Sequence, residues 1–110
     1  MPRTASRIDP ADAATVTADL HNLPTGRVSA QDGTAHVFAD DTDSLVEWHD
    51  ALGGHTTRRD AGPGVVLWTL HTATEPYGDD SRTPVLVHTL ALDHEPVYEA
   101  LTTALAPTAA

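Results

Sequence analysis

Seven histidines stand in a chain of 110 residues that has no cysteine. Imidazole is therefore the side chain with the widest chemical range here, able to ligate a metal, move a proton near neutral pH, or sit satisfied beside a core. Three of the seven fall inside apolar, alternating stretches: His36 beside Phe38 in Thr34–Ala39, His71 on the Val65/Leu67 side of Val65–Thr72, and His88 between Leu86 and Leu90 in Thr83–Asp93. If strand order set two of these side by side, with Glu75, Glu95 or an aspartate nearby, imidazole and carboxylate would hold zinc or another divalent ion. His36 and His88 are the candidate metal ligands on this reading. No HExxH or other compact ligand spacing accompanies them, so the competing expectation is that they are satisfied or partly exposed strand histidines. His49 falls beside a helical apolar stripe, where its ring can rest on the core while its nitrogens reach water. His21, His55 and His94 stand near element ends, where caps or solvent exposure are expected. Together these groups titrate near neutrality, which makes a pH-dependent oligomer conceivable.

The other reactive residue types form no set. Asp40-Asp41-Thr42-Asp43 lacks the glycine and terminal glutamate of a calcium loop and is better used capping a helix. Gly53-Gly54 and Gly62-Pro63-Gly64 lack the spacing and lysine of a phosphate loop. Ser44 and Ser81 have no elbow motif around them. Without cysteine, disulfides, thiolate catalysis and iron–sulfur clusters are excluded. The expectation is no catalytic residue and no cofactor, with a divalent metal such as zinc as the alternative.

Charge narrows the partners. Sixteen acidic groups against six basic ones, all arginine, give a formal net charge of −10, which argues against a nucleic-acid surface or an anionic membrane patch. Acidity of this kind suits solubility, a basic protein partner, or mimicry of nucleic acid. No apolar run approaches the roughly 18 residues that span a bilayer, and the first residues lack the basic-then-apolar order of a secretory signal. A cytoplasmic location is expected. With 40% hydrophobic but only 5% aromatic residues, the core should be aliphatic, with Trp48, Trp68 and Phe38 as its large fillers.

The elements that must position the histidines follow from periodicity. Thr83–Asp93 is apolar on both alternating faces, the mark of a central strand, and the chain should be organised around it. Asp9-Pro10 starts a helix over residues 10–22 whose stripe is Ala13, Val16, Leu20 and Leu23, closed by Asn22 and Pro24. Gly26–Gln31 and Thr34–Ala39 flank Asp32-Gly33, a type I′ hairpin signal. Ser44 and Glu47 fit a capping box for a helix at about 43–53, with Leu45, Trp48, His49 and Leu52 on one face. His55–Arg59 reads as a short polar edge strand, turning at Asp60–Gly64 into Val65–Thr72. Ala73–Arg82 is the longest loop. Asp93 caps a last helix at about 94–106, with Val97, Ala100, Leu101, Ala104 and Leu105 inward. The sum is one α+β domain over residues 9–106, between flexible ends at 1–8 and 107–110. It is a two-layer structure with a mainly antiparallel sheet of four to five strands and the strong helices on one face.

Ala35–Gly54, a strand leading through an acidic pair into a helix that ends in Trp48-x-x-x-Leu52-Gly53, is similar to the opening of a vicinal-oxygen-chelate module, the glyoxalase and bleomycin-resistance family. That resemblance implies a metal-dependent enzyme or small-ligand binder in which a His on the first strand and a residue on a later strand ligate the metal. His36 and His88 are the counterparts here. The leading expectation is different: a small, acidic, non-enzymatic accessory or regulatory protein-binding module, acting through a protein partner or self-association. It rests on the missing catalytic set, the acidity, and strands that read as covered on both faces.

Overall fold

The computed structural model describes residues 9–74, 82–97 and 99–105; the expectations for the two chain ends and for most of the Ala73–Arg82 loop lie outside them. Three helices and five strands run in the order α1 (Pro10–His21), β1 (Arg27–Gln31), β2 (Thr34–Phe38), α2 (Thr42–Leu52), β3 (His55–Gly62), β4 (Val65–Ala73), β5 (Pro84–Leu92) and α3 (Glu99–Thr103). The strands make one sheet in the order β1-β2-β5-β4-β3, with β5 in the middle. Three of its pairings are antiparallel; β2 and β5 run parallel, Ala35 beside Val85 and Val37 beside Val87. The α+β, two-layer architecture is the one expected, with a mixed sheet.

Local chemistry accounts for the joints. Asp32 and Gly33 both have positive φ, 54° and 77°, as the tight β1–β2 turn demands. Asp9 caps α1 by accepting from the Ala11 amide at 3.0 Å, and Asn22, left-handed at φ 55°, closes it. Asp41, rather than Ser44, caps α2: its Oδ1 accepts from both the Ser44 amide and the Ser44 hydroxyl at 3.0 Å, so the helix begins at Thr42.

One apolar face of the sheet carries the core. Ala35, Val37, Val66, Leu70, Val85 and Val87 project from it to meet Ala14, Ala18, Leu45, Trp48 and Leu101 of the helices. Trp48 is fully buried, and its indole N–H donates to the Pro24 carbonyl at 2.8 Å, so it satisfies its polar edge while filling the core. α1 departs from expectation. It buries Ala13, Ala14, Thr17 and Ala18 and leaves Val16 and Leu20 exposed, because a small-residue face lets the helix lie close on the β1–β2 hairpin. α3 is also shorter than expected and Asp93 does not cap it. Asp93 and His94 instead form a turn in which the Glu95 amide donates to the Leu92 carbonyl, and the helix starts at Glu99. β3 is longer than expected and slips register by a bulge between Asp60 and Gly62, which breaks up an exposed edge. Among the described residues no helix is long and apolar enough to cross a membrane.

Candidate functional site

All three described helices join the single core on one side of the sheet, so among the described residues the other face is left open. Alternation along the strands assigns its residues. β1 contributes Arg27 and Ser29, β2 contributes His36 and Phe38, β5 contributes Leu86, His88 and Leu90, β4 contributes Leu67, Thr69 and His71, and β3 contributes His55, Thr57 and Arg59. Phe38, expected in the core, lies here at 38% exposure, and Leu90 is 60% exposed. It is an apolar face with a band of imidazoles across it.

That band is two linked pairs. His36 Nδ1 and His88 Nε2 are 3.0 Å apart, and His88 Nδ1 is 3.0 Å from the Thr69 hydroxyl. One strand over, His71 Nε2 is 2.9 Å from the Thr57 hydroxyl and the His71 ring stacks on His55, with centroids 4.6 Å apart and planes 3° from parallel. Thr57 and Thr69 are register partners, so the two pairs meet at a threonine step. Phe38 stacks on His88 at 5.3 Å, and the Arg27 guanidinium lies 5.1 Å over the Phe38 ring. The His36–His88 bond needs one nitrogen donating and one accepting, so the pair carries at most one extra proton while it stays bonded. Burial, then the neighbouring His36 and His71, hold the His88 pKa below its ordinary value; burial, then His55, lower that of His71. Both rings are therefore held toward the neutral form.

The two candidate metal ligands are thus brought together on adjacent strands. Their nitrogens are 3.0 Å apart, a hydrogen-bond distance shorter than the roughly 3.3 Å that two zinc–nitrogen bonds of about 2.0–2.1 Å span at a tetrahedral ion. Among the described residues no group of three His, Cys, Asp or Glu side chains is placed to hold an ion. Among those residues the set stops at two donors, short of a complete metal centre; Glu75 lies outside them. A cleft of about 570 Å³ opens beside the pair, lined by Phe38, Asp40, Leu67, His88 and Leu90 among others, and Asp40 is its carboxylate. His49 sits on α2 as the stripe suggested, half-buried, but its Nδ1 is buried without a hydrogen-bond partner rather than open to water, and His94 is exposed beside Asp93.

Sequence reasoning assigned His55 to an element end and so missed its stack on His71. The signal was in the turn: counting outward in equal steps from Pro63 pairs Arg59 with Leu67, Thr57 with Thr69 and His55 with His71, as the sheet does. Compared with known protein families, with curated proteins and with solved structures, the chain matches none of them.

Proposed function

We propose that the chain is a non-enzymatic accessory or regulatory module that binds protein through the open face of its sheet. One observation carries the reading: a five-stranded sheet keeps all its helices on one side and presents Phe38, Leu67, Leu86 and Leu90 on the other. A contiguous apolar face of that kind is the mark of an interaction surface. Charge supports it. Within the five strands Asp60 is the only acidic residue, and it pairs with Val66, out of step with the open-face positions. Among the described residues no strand position of the open face carries a carboxylate, and Asp40 stands at its rim, in the cleft beside His88. The occupant this chemistry suits is a protein surface with an apolar centre. Photo-crosslinking tests the reading, with the reactive side chain placed at Leu90 or, on the helix side, at Asp50. The expected result is a protein adduct from position 90 and none from position 50. Equal labelling from both, or none from 90, removes the reading.

The convergence of His36 and His88 favours a second reading, a divalent-metal or small-ligand chelate of the vicinal-oxygen-chelate kind, with the two imidazoles as ligands and further donors from elsewhere. Native mass spectrometry of untagged protein before and after chelator tests it. A stoichiometric metal that is absent from a His36→Ala/His88→Ala double variant is the result it requires, and a metal-free mass after zinc addition ends it.

A further inference from the structure

We infer that the protein surface seated on the open face is a second copy of this chain, the two faces stacking as a sandwich. This rests on the reading of that face as a protein-binding surface and names its partner.

Charge selects the partner. Two chains of net charge −10 repel wherever carboxylates meet, and the exposed acids Asp12, Asp19, Asp43, Glu47 and Asp50 stand on the helices. The open-face strand positions hold none, only Arg27 and Arg59 on the two edge strands and four imidazoles between. Among the described residues, the strand positions of this face let a copy meet its like with no strand carboxylate opposed to another, Asp40 lying at the rim beside Phe38 and His88. Size agrees. Strands spaced about 4.8 Å apart and rising about 3.3 Å per residue give five strands of five to nine residues a footprint of roughly 600 Å². Two copies together bury about 1,200 Å², the lower end of specific, stable interfaces. An apolar centre is also self-complementary under a two-fold axis, and sheets pack face to face readily.

The test is sedimentation velocity of the untagged full chain over a tenfold concentration range, with circular dichroism to check folding. The expected result is a dimer at about pH 7.5. It should become monomeric in Leu90→Asp and in Phe38→Ser, but stay dimeric in Leu20→Asp, which alters the exposed apolar side of α1. A monomer at neutral pH that binds an apolar dye, with binding lost in Leu90→Asp, overturns the second copy while leaving the face as a surface for a different protein. A monomer that binds no dye overturns both. A dimer that survives Leu90→Asp and Phe38→Ser overturns the inference outright.

Discussion

Both ring nitrogens of His88 are engaged, one by Thr69 and one by His36, and burial holds its pKa below the ordinary value. The sign of the resulting pH dependence follows. The unfolded chain takes up the proton first, near pH 6.5, so the stability that His88 contributes is fully present above that pH. It is lost as pH falls through 6.5 and on through the lower folded value. Urea unfolding at about pH 8 and about pH 5.5 should show a midpoint that drops on acidification, and His88→Gln should flatten the drop. A variant with the wild-type pH slope would remove His88 as its cause. Gly54 illustrates a second residue-scale constraint. Its φ is 108°, and a Cβ there would collide with the His71 carbonyl oxygen, so Gly54→Ala should destabilise by more than about 1 kcal/mol and disturb the His55–His71 stack beside it. Chemical denaturation reads the first effect and histidine NMR shifts the second.

Elements show where sequence is a sufficient guide and where it is not. The β1–β2 and β3–β4 hairpins were legible because Asp32-Gly33 and Gly62-Pro63-Gly64 set their turns, and a turn sets a register. The His36–His88 contact was not legible. It depends on β2 lying parallel beside β5, strands far apart in the chain with no turn between them to fix their alignment. α1 was misread on its facing side because the apolar stripe rule favours Val16 and Leu20, whereas close approach to a sheet favours Ala14 and Ala18. α3 was overextended because its stripe continues through Ala104 and Leu105, yet those residues leave the helix. The Thr56 amide donates to the Ala104 carbonyl and the Thr56 hydroxyl to that of Leu101, each at 2.8 Å. This fully buried threonine therefore ties a five-residue helix to the β3 edge. Thr56→Val keeps the shape and removes the hydroxyl, leaving a buried carbonyl short of a partner. It should cost about 1–2 kcal/mol, and hydrogen exchange should rise first in residues 99–105. Uniform loss of protection across the sheet would show that α3 is not held by this contact.

Across the whole molecule, segregation of charge is the dominant pattern. Among the described residues the acids stand on helices, on turns and on one edge strand, whereas the open face carries two arginines and four imidazoles. Mutual repulsion among the acids should make the fold salt-sensitive, so its melting temperature at neutral pH should rise between roughly 0.01 and 0.3 M sodium chloride, as the screening length falls to about 6 Å. A melting temperature flat across that range would mean the acids are too far apart to matter. The position of β5 bears on something else, the order of events in time. The β1–β2 and β3–β4 hairpins close locally but do not pair with each other: β5, which follows both in the chain, sits between them, pairing with β2 on one side and β4 on the other. During synthesis the two hairpins therefore have no common sheet to join until residues 84–92 emerge. Final assembly is a wedging step with a long loop to close, slow by contact order and exposed to misassociation while it waits.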